Sequence, residues 1–204
     1  MSTFPTTSTT LLAKLAEIET GVDQSAWYRF FELYQPVMVE FARAKGAGDD
    51  AEDVVQEVFA DIVKVFREGK YVRERGRFRS YLATMLRNEL ISRFRRMQSR
   101  PEGSAVQMPD SGVIDGLDVP LTAVGALRAH EEAAWDASRH KVAIRHVLTK
   151  TALSDQSRRI YRELLETGDS CAEVARRLGI PATTVRQVKS RVSRMIVAYE
   201  KAIS

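Results

Sequence analysis

Asp50, Asp53, Glu57 and Asp61 recur every three or four residues in "GDDAEDVVQEVFADI" (48–62). On a helix turning roughly 100° per residue they share an arc of about 80°, a single row of carboxylates. Such a row could ligate a cation, act as acid and base, or dock a basic partner. A metal centre must enclose its ion. An exposed row on one helix does not, and no histidine lies nearby. Nuclease-type acid–base work would need a second converging cluster, which the sequence does not supply. Two readings remain: a solvated face whose first-turn acids favour the helix dipole, and a docking surface for a basic protein.

The second set of reactive side chains is cationic. "GRFRSYLATMLRNELISRFRRMQSR" (76–100) holds Arg77, Arg79, Arg87, Arg93, Arg95, Arg96 and Arg100 against one glutamate. A solvated face is again the plain alternative. The excess of guanidiniums beside Phe78 and Tyr81 suits phosphates and unstacked bases.

The third set lies in "SCAEVARRLGIPATTVRQVKSRVSRMI" (170–196). Ser170 and Glu173 form a capping box that starts a helix. Val174, Ala175 and Leu178 are its inner face. Gly179 marks a sharp turn, and Pro181 suits the first turn of the next helix. That helix buries Val185, Val188, Val192 and Ile196. It leaves Gln187, Ser190, Arg191 and Arg194 outward, with Arg186 at the edge. This is the form of a DNA-reading helix-turn-helix, in which arginine reads guanine and glutamine reads adenine. The plain alternative is a helical hairpin solvated by its arginines. Cys171 is expected to be a small buried side chain. His130, His140 and His146 have no metal-ligand spacing, so no metal, cofactor or catalytic residue is expected.

The elements that position these residues read as helices at 11–19, 25–45, 50–67, 78–97, 129–150, 155–166, 171–178 and 182–199. In 50–67 the apolar stripe is Val54, Val55, Val58, Phe59, Ile62, Val65 and Phe66. In 78–97 the stripe changes phase near Arg87 to Glu89. That predicts a kink, a turn, or packing against two different elements. No segment alternates long enough for a strand. Residues 101–127 carry three prolines, four glycines and no aromatic residue, which reads as a linker. The fold class expected is all-α, two small helical domains joined by a flexible linker. The expected divisions are a disordered tail at 1–10, a first domain at 11–97, a linker at 98–128 and a second domain at 129–204.

Composition agrees with a globular chain of 204 residues, with 44% hydrophobic and 28% charged residues. Charge is segregated: residues 49–68 sum to −5, residues 76–100 to +6 and residues 139–204 to +8. The net charge of +4 favours an anionic partner such as nucleic acid. One cysteine excludes an internal disulfide framework and suits a reducing, cytoplasmic setting. No apolar run reaches the length of a membrane span, so no membrane insertion is expected. The start, "MSTFPTTSTT", lacks the features of a signal peptide.

"DDAEDVVQEVF" (49–59), "GRFRSYLATMLRNELISRFRR" (76–96) and the helix-turn-helix at 170–196 occur in this order in bacterial sigma factors. The chain resembles their extracytoplasmic-function group, which keeps domains called sigma-2 and sigma-4. The resemblance covers about 27–97 and 129–198. It implies that Asp50, Asp53, Gln56, Glu57 and Asp61 dock on the β′ clamp helices of core RNA polymerase, with the β flap as a second contact. It implies that Arg77, Phe78, Arg79, Tyr81, Asn88, Arg93, Arg95 and Arg96 serve the −10 element of promoter DNA. Thr184, Arg186, Gln187, Lys189, Ser190, Arg191 and Arg194 would serve the −35 element. The resemblance allows an anti-sigma factor as a further partner, and it implies no enzymatic activity. The rival function is a DNA-binding regulator that never joins polymerase. It accounts for 170–196 equally well and leaves the acidic row without a task.

Overall fold

The computed structural model describes residues 15, 24–68, 70, 78–98 and 121–203, and these form seven α-helices and no strand. They are α1 (Gln24–Ala44), α2 (Ala51–Arg67), α3 (Phe78–Gln98), α4 (Leu121–Lys150), α5 (Asp155–Thr167), α6 (Cys171–Leu178) and α7 (Ala182–Ala202). A 3-10 turn, Gly48–Asp50, precedes α2. The tail expected at 1–10 lies outside the described residues. So does the helix expected at 11–19, except for Leu15, which is helical and fully buried. The all-α expectation holds for what is described.

One helix departs from expectation. α4 starts at Leu121, so 121–128 is helical rather than the end of a linker; residues 99–120 lie outside the described residues. Gly125 weakens the helical signal there, at about 1 kcal/mol relative to alanine. The chain divides into two compact units between Arg139 and His140, inside α4. The sequence expectation began the second domain at 129.

The N-terminal unit has an aromatic core. Phe30, Tyr34, Phe59, Phe66 and Phe78 are buried. Phe78 lies 5.8 Å from Phe30, 5.7 Å from Tyr34 and 6.0 Å from Phe66, ring centre to ring centre. These separations suit edge-to-face packing. Every member of the stripe expected in α2 is buried except Val65, which is half-buried. α3 is continuous through Arg87–Glu89. The phase change therefore makes no break in the helix. Phe78, Leu82 and Leu86 are buried in the bundle with α1 and α2, while Arg79, Ser80 and Arg87 meet α4. From α4, Trp135 is 1% exposed and its ring centre lies 5.6 Å from that of Phe41. This burial joins the first part of α4 to the N-terminal unit.

The C-terminal unit is held by caps and one arginine. Arg158 donates to the carbonyls of Leu148 and Thr151, each at 2.9 Å, and pairs with Asp155 at 2.9 Å. It thereby ties the end of α4 to α5. Ser154 caps α5, and the Ser170–Glu173 capping box starts α6 as the sequence predicts. His146 stacks on Tyr199 with ring centres 4.1 Å apart, and burial pushes its pKa down. Val185, Val188, Val192 and Ile196 are buried as expected, and Leu178 is half-buried.

Gly179 ends α6 with φ of 65°, in the left-handed region, and a Cβ there would meet no atom. Gly179→Ala therefore costs backbone strain alone, about 1–2 kcal/mol. A loss of unfolding free energy by that amount, read from a lowered chemical-denaturation midpoint, is expected; an unchanged midpoint would show that the turn relaxes to another conformation.

Candidate docking and nucleic-acid surfaces

α2 puts its apolar residues inward and its acids outward. Asp50, Asp53, Gln56, Glu57 and Asp61 are all exposed. The row is nevertheless not bare. Arg93 of α3 lies across it, with guanidinium nitrogens 3.7 Å from Asp50, 3.9 Å from Asp53 and 3.6 Å from Glu57. Arg93 also donates to the carbonyl of Asp50 at 3.4 Å. Arg96 pairs with Glu89 at 2.6 Å and lies 4.0 Å from Glu57. Burial, followed by the neighbouring Glu57, raises the pKa of Glu89, and Arg96 opposes that rise. Two arginines assigned to DNA from the sequence are thus counter-ions of the chain's own acids.

The other −10 candidates fall into different places. Phe78 is 7% exposed and closes the aromatic core, so in this structure it is not a surface for bases. Arg79 is half-buried and pairs with Asp136 at 3.5 Å. Tyr81 is half-buried; desolvation and then the charge of Asp61 raise the pKa of its phenol. Asn88, Arg95 and Arg96 are exposed. Arg77 lies outside the described residues.

Sequence reasoning missed the acids of α4 that meet α3. Glu131 lies 3.4 Å from Arg87 and is itself buried. Glu132 accepts from the Ser80 hydroxyl at 3.0 Å. The signal was present in "EEAAWD" (131–136), where acids flank a tryptophan that must be buried. The Nε of Arg79 and that of Arg87 are buried without a hydrogen-bond acceptor. The 3.4 Å approach of Glu131 to Arg87 is an ion pair without hydrogen-bond geometry. A buried donor left unmade costs about 1–3 kcal/mol.

On α7, Arg186, Gln187, Lys189, Ser190, Arg191 and Arg194 are exposed and Thr184 is half-buried. Arg191 donates to Ser157 of α5 at 2.8 Å. Its guanidinium is engaged in holding α7 to α5, and Ser157 is buried. Arg194 folds back on the Ser190 carbonyl at 3.4 Å. Arg186, Gln187, Lys189 and Ser190 form the outward N-terminal part of this helix, the part that enters a major groove in helix-turn-helix proteins. Cys171 is half-buried rather than buried. Among the described residues no group of His, Cys, Asp or Glu could hold a metal ion, and no helix is long and apolar enough to cross a membrane.

Residues 30–100 match sigma-70 region 2, and residues 138–195 match the CENP-B N-terminal DNA-binding domain. The first match spans most of α1 and all of α2 and α3, with both the acidic row and the arginine-rich helix. It supports a member of the sigma-70 family. The second spans the end of α4 through most of α7. Neither match is to an enzyme family. No curated protein matches the chain.

Proposed function

We propose that this chain is a sigma factor of the extracytoplasmic-function group, which joins core RNA polymerase and directs initiation at a promoter. One observation carries the proposal: the sigma-70 region 2 match falls on the helix with the exposed acidic row, in a chain that also has a helix-turn-helix. The row Asp50, Asp53, Gln56, Glu57 and Asp61 docks on the β′ clamp helices. Tyr81, Asn88 and Arg95, with Arg77, serve the opened −10 element. Phe78 acts behind them as a packing residue. Bases leave the stack at a cost of a few kcal/mol, and stacking on an aromatic returns roughly 1–3 kcal/mol per base. The C-terminal unit reads the −35 element and meets the β flap. The test is reconstitution: the chain with core polymerase should start transcription from a promoter that core polymerase alone does not use.

The CENP-B match favours a second reading, a DNA-binding regulator that does not join polymerase. On that reading the chain retards duplex DNA yet never co-purifies with core polymerase.

The engaged guanidinium of Arg191 separates two roles on α7. Gln187→Ala is expected to relax preference at one −35 position, at about 1–3 kcal/mol. Arg191→Ala is expected to lower stability by about 1 kcal/mol and to leave the selected sequence unchanged. Selection from a randomised −35 library and a denaturation curve for each variant check this. A new motif with Arg191→Ala would return that residue to the groove.

A further inference from the structure

Residues 129–137 lie outside both matched stretches, yet they pack into the unit that carries the arginine-rich helix. Trp135 anchors them. Three acids on the same helix then meet α3 along one seam: Glu131 at Arg87, Glu132 at Ser80, and Asp136, shared with Arg139 of its own helix at 3.1 Å, at Arg79. Carboxylates laid along guanidiniums and a hydroxyl repeat the charge pattern of a phosphate strand. The seam is also incompletely satisfied, since Arg79 and Arg87 each keep a buried Nε without an acceptor.

We propose that Glu131, Glu132 and Asp136 are a built-in charge mask, which cancels Arg79 and Arg87 and so withholds them from the phosphates of single-stranded DNA. The inference rests on the preceding reading in one respect, that α3 faces DNA. The mask explains why an arginine-rich helix would carry its own acidic cover from a segment that neither family match includes. It makes the cationic strength of α3 depend on where the first part of α4 sits.

The test uses the full chain and a short single-stranded DNA oligonucleotide, with binding followed by fluorescence anisotropy over a salt series. Glu131→Gln, Glu132→Gln and Asp136→Asn together keep the side-chain shapes and remove the cancelling charge. Two regained phosphate contacts should steepen the salt slope by roughly 1.4, at about 0.7 per contact on a single strand, and tighten binding about tenfold at low salt. Adding Arg79→Gln and Arg87→Gln should abolish that gain. A gain that persists without the two arginines would be a general charge effect and would overturn the proposal, as would no gain at all. Circular dichroism verifies the fold; if the triple variant is unfolded, Asp136→Asn with and without Arg79→Gln poses the same comparison. Failure of the wild-type chain to co-purify with polymerase would remove the sigma-factor reading and leave this cycle interpretable.

Discussion

Core RNA polymerase is expected to be lost from a chain carrying Asp53→Asn, Glu57→Gln and Asp61→Asn. The three side chains are exposed on the outer side of α2, opposite its buried stripe. Each carboxylate meeting a cation at about 4 Å contributes roughly 1 kcal/mol in water and more where the interface excludes it. Loss of three such contacts should weaken binding by about 100-fold or more, and most strongly at low salt. Amides are preferable to arginines here, because Arg93 already lies within 3.9 Å of Asp53 and Glu57. A new guanidinium beside it would confuse repulsion with lost docking. The fold should survive, since exposed ion pairs contribute about 0–1 kcal/mol. Undiminished co-purification with core polymerase would end the assignment of this row.

The largest stability effect is expected at Trp135. Truncation of a fully buried tryptophan to alanine costs about 3–5 kcal/mol, a large share of the stability of a small domain. Trp135→Ala also leaves Trp27 as the one remaining tryptophan. Trp27 packs 5.7 Å from Phe30 and 5.9 Å from Phe66, so its fluorescence reports the N-terminal unit. Denaturation of the variant followed at Trp27 should shift to much lower denaturant. A Trp27 transition identical to wild type would mean that α4 stabilises only the C-terminal unit.

The helices and their inner faces were legible because periodicity is a local property. The stripe of α2, the capping box at Ser170 and the turn at Gly179 all follow from neighbours in sequence. The destinations of the long cationic side chains were not legible. Arg79, Arg93 and Arg191 look alike on a helical projection, but one meets Asp136, one lies across the acids of α2 and one holds Ser157. Each partner is distant in the chain, so only packing decides. Phe78 failed for the same reason: beside arginines it reads as a stacking platform, and only the fold brings Phe30, Tyr34 and Phe66 around it. The helix start at Leu121 was hidden by composition, since the glycines and prolines before it extended the apparent linker.

The guanidinium that spans Asp50, Asp53 and Glu57 bears on how fast a partner can arrive. Arg93 stands over Asp50, Asp53 and Glu57, and Arg96, paired with Glu89 at 2.6 Å, lies 4.0 Å from Glu57. A basic molecule approaching from beyond the screening length, about 8 Å at physiological salt, meets less charge than the acids alone would project. Long-range steering is reduced in that case, and the rate of encounter with it. The lifetime of a complex on this face is then governed by dissociation, through contacts made only after the partner has arrived.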